Sequence, residues 1–545
     1  MKPEYGKISR MSKRGFWYYR VLPAAVAVFF SLMLFGTLTD FYAIAHPAWI
    51  PLWATELAGV IVYALVVIFI LGKLQQFLSK KKNIRPRVEK KFLLIFFAAL
   101  LLVQIGFATQ MSVPMQPQCF EMFGVKPVCF WDFQAVAQGA ADLVNGNLKQ
   151  FTVDYLHAHQ NNISAFALLG GVFKLAALVG ITNFHAVGIG LNILLICTTL
   201  FMIYLVIRHL FGTKKAIFSL AIATMLLPLS LLYVPVFYTD TLTLLFPITI
   251  LYLYLRLRKT KALYKYLLLF AAMILLTFVG SVIKFSVMIV LVAIIIDMIM
   301  RSDKKDIKRL VLAFSCLLLF IPLFMVYGAL TDKYVHSRAS AHIITTPPTH
   351  YIMMGLAGNG QYSMADDANT LMHETQEEAI KYNIQEIKKR LSDHGALGYT
   401  WFLFHKARDT WNDGSYESTE QLRNNSLLTE DYSPSALQRA ITSYKTYPLT
   451  LLNYLTAVHV ILLLAIIIGS FKRRYKNIKE LAVFRLAVFG LALFLLVWET
   501  NSRYLVNFLP LIAVLSVPVL WQIAPQITNK MIGGYLTARR KVLKY

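Results

Sequence analysis

The sequence predicts an all-α polytopic membrane protein with about 12 transmembrane helices and a small mixed lobe outside the membrane. Three observations support this prediction. Hydrophobic residues make up 57% of the 545 residues and charged residues 15%, whereas a soluble protein of this size has roughly 25% charged residues. About twelve apolar runs approach the roughly 20 residues that a helix needs to cross a bilayer. Basic residues cluster in short segments between these runs, as at Lys80–Lys82 and Lys472–Arg474.

The formal net charge of +26 would also suit a nucleic-acid-binding protein. Because the lysines and arginines lie beside apolar runs, we interpret them as cytoplasmic loops held against anionic lipid. We therefore expect membrane lipid, and no nucleic acid, as a partner. The first apolar run follows a basic N-terminus and has no small-residue cleavage site after it, which predicts a membrane span instead of a cleaved signal peptide.

Charge and length together predict the topology. The predicted spans are 21–38, 53–72, 92–109, 186–207, 216–234, 241–257, 266–281, 285–300, 309–329, 447–470, 481–498 and 504–523. If both termini are cytoplasmic, the richest basic segments all fall on the cytoplasmic side. This orientation requires the apolar run 163–180 not to cross the membrane, since a crossing there would reverse every later loop. We predict that this run is an interfacial or re-entrant helix on the outer face.

The same pattern divides the chain into four regions. They are 1–91, an N-terminal two-span segment; 92–329, a transmembrane core with a first extracytoplasmic loop at 110–185; 330–446, an extracytoplasmic lobe; and 447–545, the last transmembrane helices and a basic cytoplasmic tail. In the lobe, acidic residues early and basic residues late predict a helix from about Thr375 to Arg390. Cys119 and Cys129 both lie in the first loop, where a disulfide between them is an open alternative.

Asp132 is the first candidate for catalysis. It lies between Trp131 and Phe133, soon after the third predicted span. Acidic side chains at a bilayer surface are costly to keep unless they have a function, and a carboxylate partly shielded by aromatic rings could act as a general base. The alternative is that Asp132 caps a helix through residue 143. The two roles do not exclude each other.

The stretch from Asp154 to Asn162 follows in the same loop. In an extended chain, residues two apart point to the same side, so His157 and His159 could share a metal ion or a phosphate group. Hydrogen bonding to a substrate is the interpretation we favour. It makes substrate-binding candidates of Asp154, Tyr155, His157, His159 and Gln160.

A second carboxylate, Asp240, stands at the outer start of a later span, after Pro228 and Pro235. With Asp132 it would form a paired acidic catalytic site. The alternative is that Asp240 caps the helix that follows. Asp132, Asp240 and His159 are also a candidate ligand set for a divalent cation, Mg²⁺ or Mn²⁺, which is the one cofactor that the sequence suggests.

Lys284 and Arg503 are cations on the predicted outer side, against the positive-inside trend, so each needs a partner. A lipid phosphate would suit both, since a guanidinium group binds phosphate through two parallel hydrogen bonds. A salt bridge from Arg503 to Glu499 is the structural alternative. In the lobe, the segments around His350 and Trp411 are places where aromatic rings could hold a sugar or a lipid tail.

These motifs together resemble the GT-C superfamily of membrane glycosyltransferases, which includes the protein O-mannosyltransferases and the aminoarabinose transferase that modifies lipid A. The stretches that carry the resemblance are Trp131-Asp132-Phe133, His159-Gln160-Asn161-Asn162, Tyr238-Thr239-Asp240, Ile283-Lys284-Phe285 and Glu499 to Tyr504. The likeness runs in order over about 92–523 and does not single out a subfamily.

The resemblance implies transfer of a sugar from a polyprenyl-phosphate donor to an extracytoplasmic acceptor, which could be a cell-wall polymer, a glycolipid or a protein. Asp132 would be the general base, and Asp240 would hold a cation or orient the acceptor. Lys284, Arg503 and Tyr504, with His350 from the lobe, would bind the substrates. The alternative is a polytopic lipid or polysaccharide transporter without catalysis, which would need charges inside its spans. In either case the expected location is the cell membrane.

Overall fold

The computed structural model describes most of the chain. The described residues are 17–39, 50–81, 83–111, 119–122, 125–129, 132–301, 311, 318, 320–340, 343–424, 435–442, 450–476 and 478–542. Their regular structure is helical, apart from one short antiparallel pair of strands. The prediction of a helical, multi-span membrane protein is confirmed at this level.

The regular elements are numbered here in chain order. The first group is α1 (Leu22–Leu38, after a π-helical turn at Trp17–Val21), α2 (Ile50–Lys80), α3 (Pro86–Gln110), β1 (Cys119–Met122), β2 (Val125–Cys129), α4 (Asp132–Val144), α5 (Gln150–Ala158), α6 (Ile163–Leu178), α7 (Phe184–Phe211) and α8 (Thr213–Leu226). The second group is α9 (Thr239–Leu242), α10 (Leu245–Leu257), α11 (Leu263–Ile283), α12 (Met288–Arg301) and α13 (Phe320–Tyr334). The third group is α14 (Pro348–Met354), α15 (Met364–Leu371), α16 (Gln376–Asn412), α17 (Ser418–Asn424), α18 (Ala436–Thr442), α19 (Leu451–Phe471), α20 (Arg473–Lys476), α21 (Ala482–Val497) and α22 (Leu509–Val542).

Short 3₁₀ turns join several of these helices. They lie at Gln160–Asn162, Pro228–Ser230, Phe285–Val287, His336–Arg338, Lys479–Leu481 and Ser502–Phe508. Ten helical stretches in the described residues are long and apolar enough to cross a membrane. These are Trp17–Leu38, Trp53–Lys80, Pro86–Gln110, Gln160–Leu178, Phe184–Phe211, Thr239–Leu257, Leu263–Ile283, Leu451–Phe471, Lys479–Val497 and Ser502–Leu536.

Helix α7 and helix α3 run in opposite directions. Arg208, near the end of α7, forms an ion pair with Glu89, near the start of α3, with Nε 2.7 Å from the carboxylate. The start of α7 therefore lies at the end of the bundle where α3 finishes and where α4 begins with Asp132. We call this the Asp132 end of the bundle.

Helix α6 begins near the Asp132 end, and its length and composition would allow a crossing. At its start, Asn162 accepts a hydrogen bond from Tyr238. Its Phe173 ring stacks on Phe184, the first residue of α7, with centroids 5.2 Å apart. Helix α7 then packs Gly188 against Phe237, the neighbour of Tyr238. The start of α6 and the start of α7 therefore both contact the dipeptide Phe237-Tyr238, and the interfacial position of α6 stays a prediction.

The segment after α8 differs from the predicted span 216–234. Helix α8 ends at Leu226, and residues 227–238 continue as turns and irregular chain. These residues are nonetheless buried, and their backbone needs hydrogen-bond partners. Asn192 of α7 supplies them, since its Nδ2 donates to the carbonyls of Tyr233, Val234 and Val236 at 2.7, 3.0 and 3.0 Å.

The described part of the region 330–446 contains helices and no strand, so the lobe is not mixed there. Helix α16 starts where it was predicted, with Thr375 and Glu378 forming a capping box. It ends at Asn412, well past the predicted Arg390, after a left-handed residue at Gly395. Its last turns pack on α1, and the Trp411 ring lies edge-on against Phe30 at 4.9 Å. Trp411 is buried, so the prediction that it holds a sugar is wrong.

Candidate functional site

A directed series of hydrogen bonds ends on Asp132, the first residue of α4. Tyr238 donates to Asn162 Oδ1 at 2.6 Å, and Asn162 Nδ2 donates to the Tyr155 hydroxyl at 2.7 Å. Tyr155 in turn donates to Asp132 Oδ1 at 2.5 Å. Burial, with help from the Asp132 carboxylate, raises the pKa of both tyrosines. They therefore keep their protons, and the Asp132 carboxylate stays oriented by a neutral donor.

Asp240 lies in α9, at the start of the helical stretch Thr239–Leu257, and binds two cations. Lys284 Nζ forms an ion pair and a hydrogen bond with its Oδ1. Arg503 Nε lies 3.4 Å from Oδ2. Asp240 is 1% exposed, and the side chains of Lys284 and Arg503 are each 12% exposed. Burial lowers the pKa of Lys284, and Asp240 opposes that shift.

Two tyrosine rings hold the cations in place. Lys284 Nζ lies 5.1 Å from the centre of the Tyr504 ring, and Arg503 Cζ lies 5.7 Å from the same ring. Arg503 also lies 5.4 Å from the ring of Tyr238. Aromatic faces attract cations when water is excluded. Tyr238 thus joins the cation pair to the hydrogen-bond series that ends on Asp132.

The 498–504 segment adds a third carboxyl group. The Tyr504 hydroxyl donates to Glu499 Oε1 at 2.9 Å, and Glu499 is 6% exposed. Its backbone N–H donates to the carbonyl of Tyr351 at 2.9 Å. The Tyr351 ring stacks on Trp498 with centroids 5.0 Å apart. The Tyr351 hydroxyl reaches Asn161 Oδ1 at 3.2 Å, beside the residue that links Tyr155 to Tyr238.

The lobe contributes Asp367 to the same neighbourhood. His350, next to Tyr351, lies with Nε2 3.6 Å from Asp367 Oδ1 and with Nδ1 2.8 Å from the Thr370 hydroxyl. The Tyr362 hydroxyl donates to Asp367 Oδ2 at 3.3 Å. Burial lowers the pKa of His350, so its ring is neutral near neutral pH. Carboxylates and tyrosine hydroxyls arranged in this way can accept and donate hydrogen bonds to a polyhydroxylated ligand.

A strained turn is held against the 498–504 segment by a hydrogen bond. Tyr416 and Glu417 both have a positive φ, 51° and 60°, which non-glycine residues rarely adopt. Asp413 stabilises this turn by accepting from the Glu417 N–H at 2.6 Å, and its carboxylate also accepts from the Ser502 hydroxyl at 2.7 Å. Strain of this kind clusters at functional sites, and here it positions the chain just before Arg503.

Lys406 of α16 joins the lobe to the same segment. Its ammonium donates to the carbonyls of Gly355 at 2.5 Å and Leu496 at 3.2 Å. The side chain is fully buried, and burial lowers its pKa to about 7. A lysine in this position satisfies a carbonyl at the end of α21 that the helix itself leaves unpaired.

Comparison with known proteins gives one match. A family model described as "conserved hypothetical integral membrane protein" matches residues 18–523. The chain belongs to this family of integral membrane proteins. No curated protein matches it, and no solved structure matches it. The matched range contains every residue of the site described above.

In this integral membrane protein, six of the predicted site residues come together. They are Asp132, Tyr155, Asp240, Lys284, Arg503 and Tyr504. Two structural alternatives are wrong. Arg503 pairs with Asp240 instead of Glu499. Asp240 does not cap α9, whose capping contacts come from Tyr238 and Thr241.

Other predicted residues have different partners. Asp154 accepts from the Ser340 N–H at 2.7 Å and the Ser340 hydroxyl at 2.8 Å, so it fastens the lobe to α5. Gln160 lies 3.3 Å from His336 and 3.4 Å from the Thr345 hydroxyl. His350 is buried inside the lobe. It contacts Asp367, which lies beside the site. Because the side chain of His350 is buried, we do not expect it to contact a substrate directly.

The prediction that His157 and His159 point to one side is wrong. Residues 150–158 are helical, so positions two apart diverge by about 200° instead of aligning. The His157 ring packs on His336 at 4.7 Å, and the His159 ring packs on Tyr155 at 4.9 Å.

The candidate metal set does not form either. Among the described residues, no three histidine, cysteine or acidic side chains come together in a way that could hold a metal ion. Asp240 has its carboxylate paired with two cations, and Asp132 accepts from Tyr155. Asp132, Asp240 and His159 are therefore not a ligand group.

Some predictions fall outside the described residues. Trp131 is one of them, and the side chains of Cys119 and Cys129 are others, so the disulfide stays a prediction. The backbones of these two cysteines face each other as partners in the β1–β2 pair.

The sequence analysis did not assign several residues that the structure brings to the site. They are Asn162, Tyr238, Tyr351, Asp367 and Glu499. Three of them lie within three residues of a predicted position, and Glu499 lies four residues before Arg503. The only sequence signal for these residues was that most of them lie near Asp240, His159, His350 or Arg503. That signal is weak, because amides and tyrosines are common at helix ends and a single sequence does not show which of them belong to a site.

Proposed function

We propose that this protein is a GT-C-type glycosyltransferase. It would move a sugar from a polyprenyl-phosphate-linked donor to an acceptor outside the cytoplasm, either a cell-wall polymer, a glycolipid or a protein. The observation that supports this is that one connected site contains both a carboxylate that can act as a base and a separate pair of cations. Asp132 is held by Tyr155, while Lys284 and Arg503 share Asp240. Segments far apart in sequence converge to build this arrangement.

Asp132 is the general base in this proposal. Its carboxylate takes the proton from the acceptor hydroxyl as that oxygen attacks the anomeric carbon of the sugar. The bond between the anomeric carbon and the phosphate oxygen breaks, and the phosphate leaves with the electron pair. Tyr155 keeps one carboxylate oxygen of Asp132 occupied at 2.5 Å, so the other oxygen would face the acceptor.

Lys284 and Arg503 stabilise the leaving phosphate. With Asp240 these groups sum to a single positive charge, which matches the single negative charge of a phosphodiester donor. Because the cations are nearly buried, their attraction for charge that develops on the phosphate is stronger than it would be in water. The rings of Tyr238 and Tyr504 keep both cations in position before the donor arrives.

The membrane arrangement that we propose has twelve crossings with both termini in the cytoplasm. Helices α8, α12 and α13 are shorter than the ten long candidate spans, and they cross in this scheme, while α6 stays at the outer surface. The Asp132 end of the bundle is then extracytoplasmic. A donor held at Lys284 could keep its lipid tail in the bilayer throughout the reaction.

The alternative is a lipid or polysaccharide transporter, which would carry charges within its spans that face a central path. Buried charges in the described spans have structural partners instead. Asp297 pairs with Arg301 at 2.7 Å, and Arg485 donates to the carbonyls of Gly469 and Tyr475 at 3.2 and 3.0 Å. These contacts favour the transferase.

The test is the replacement Asp132→Asn, followed by mass analysis of cell-surface glycans. Removing a general base should lower sugar transfer by about 10²–10⁴-fold, with protein level and membrane insertion unchanged. Asp142→Asn is the matched control, because it makes the same change three turns along α4. There Asn keeps the oxygen that accepts from Gln138. Transfer at the wild-type rate by Asp132→Asn would exclude the base role. Glycans that accumulate unmodified on the inner side would point to the transporter.

A further inference from the structure

Glu499 is a buried carboxyl group that contacts the cation site through Tyr504. Tyr504 donates to its Oε1 at 2.9 Å, and the ring of that same tyrosine lies under Lys284 and beside Arg503 at 5.1 and 5.7 Å. The Glu499 backbone is held by the Tyr351 carbonyl at 2.9 Å. A change at Glu499 is therefore one hydrogen bond away from the ring on which both cations rest.

We propose that Glu499 is a positioning residue for anion binding: through Tyr504, its charge state sets how strongly Lys284 and Arg503 attract the phosphate of the donor. This inference rests on the proposed function, in which those two cations bind phosphate. A neutral Glu499 adds no negative charge, so Lys284, Arg503 and Asp240 keep their net single positive charge. An ionised Glu499 places a negative charge beside them in a site that contains little water, where charges interact strongly.

The groups around Glu499 determine when it ionises. Burial is the largest influence, and the nearby carboxylates of Asp132 and Asp367 act in the same direction, while Tyr504 and Arg503 oppose it. The result is a pKa of about 7 for Glu499. The other titratable groups that face it are Tyr351, Tyr362 and Lys406. Glu499 is consequently neutral below pH 7 and ionised above it, so anion affinity should fall as the pH rises.

The experiment measures binding of methyl farnesyl phosphate to the full-length protein in lipid nanodiscs. This probe is a phosphodiester, so its single charge stays constant between about pH 5.5 and pH 8.5, and farnesol serves as the tail-only control. The wild-type protein should bind the probe on the order of tenfold more weakly at the higher pH. Glu499→Gln should bind it equally at both values, with the affinity that the wild type has at the lower pH.

Two further variants complete the test. Glu377→Gln removes an exposed carboxyl group at the start of α16 and should behave like the wild type. Tyr504→Phe keeps the ring but removes the hydrogen bond that lowers the pKa of Glu499, so it should move the midpoint of the pH dependence upward. It serves as the test if Glu499→Gln does not fold. Lys406 titrates in the same pH range and is present in all of these variants, so the part of the pH dependence that Glu499→Gln removes is the part that depends on Glu499.

The outcomes separate this inference from the proposed function. Equal affinity of the wild type at both pH values would overturn the role of Glu499, as would an unchanged pH dependence in Glu499→Gln. After either result, the proposed phosphate site at Lys284 and Arg503 would still be supported if Lys284→Met weakens binding of the probe. If Lys284→Met binds the probe as well as the wild type, the phosphate site itself is wrong, and the proposed function fails with it.

Discussion

At the scale of single residues, Asp240 is the group on which the cation site depends. It is 1% exposed and holds Lys284 and Arg503 at the same time. Removing one partner of a buried ion pair leaves a charge without compensation, which costs about 3–5 kcal/mol. The site tolerates two adjacent cations because this one carboxylate lies between them. The negative charge of a bound anionic ligand would offset their positive charge further.

Asp240→Asn should therefore destabilise the protein but make it more responsive to an anion. We expect a lower melting temperature in detergent, by an amount that corresponds to about 3–5 kcal/mol. We also expect a larger increase in melting temperature on adding methyl farnesyl phosphate than the wild type shows, since the ligand then supplies the missing negative charge. Asp142→Asn is the control for loss of a carboxylate elsewhere. A ligand-induced increase smaller than that of the wild type would contradict the shared-carboxylate account.

The same pairing predicts how transfer responds to chelators. The positive charge at Asp240 comes from Lys284 and Arg503, and a divalent cation would have to displace them to bind there. Sugar transfer in membranes treated with EDTA should therefore stay within about twofold of the untreated rate. The measurement is the initial transfer rate before and after chelation, with Mg²⁺ or Mn²⁺ added back. A large loss that either ion restores would return Asp240 to the role of metal ligand.

Residues that are unusual for their position could be found from the sequence. Asp132, Asp240, Lys284 and Arg503 stood out because charges at the outer ends of apolar runs are expensive or oppose the charge bias. Tyr238 and Asn162 could not be found in this way, because polar residues are ordinary at helix ends. The error over His157 and His159 came from assuming an extended chain where a short helix forms.

At the scale of elements, the position of α6 decides whether the site can exist. Its start touches Tyr238, and the start of α7 touches Phe237. If α6 crossed the membrane, these neighbours would have to lie on opposite faces. The basic residues after α7 predict a surface position for α6, whereas its length and hydropathy alone favour a crossing, so the placement stays a prediction.

A cysteine at Thr182, in the link between α6 and α7, tests this placement. In a variant whose natural cysteines are replaced by serine, Thr182→Cys should react with an impermeant thiol reagent added to intact cells, because Thr182 is exposed and should lie outside. Lys259→Cys, exposed in the short loop after α10, is the opposite control and should react only after permeabilisation. If α6 crosses the bilayer, every later loop is reversed, so Thr182→Cys would react only after permeabilisation and Lys259→Cys would react in intact cells.

Element boundaries were predictable only where the chain carries a clear local signal. The start of α16 was predicted from the acidic residues Glu377 and Glu378, and in the structure Thr375 and Glu378 form a capping box there. Its end was predicted at Arg390 from the late basic residues, but the helix runs on to a kink at Gly395, and a second helical stretch beyond it packs on α1 through Trp411. The predicted span 216–234 ran too far because buried irregular chain is as apolar as a helix. Only the contacts of Asn192 distinguish the two.

At the scale of the whole molecule, the lobe and the bundle meet at the site. Lys406 of the lobe helix α16 binds the carbonyl of Leu496 at the end of α21, and the Thr500 N–H donates to the Gly360 carbonyl at 2.8 Å. The lobe therefore shapes the segment that carries Glu499 and Arg503. Hydropathy predicted that two large outer segments exist, but no local pattern indicates that they touch, because such contacts join residues far apart in the chain.

The final prediction concerns the side of the membrane that this assembly faces. If the charge bias sets the orientation, the lobe is extracytoplasmic. Ala396→Cys, exposed on α16 just after Gly395, should then react with the impermeant reagent in intact cells of the cysteine-free background. Lys259→Cys should stay unlabelled in the same cells, since the arginine-rich end of α10 would face the cytoplasm. The reverse pattern would place Asp132, Lys284 and Arg503 inside. A lipid-linked donor would then have to be used on the cytoplasmic face, and the proposal of an extracytoplasmic acceptor would be wrong.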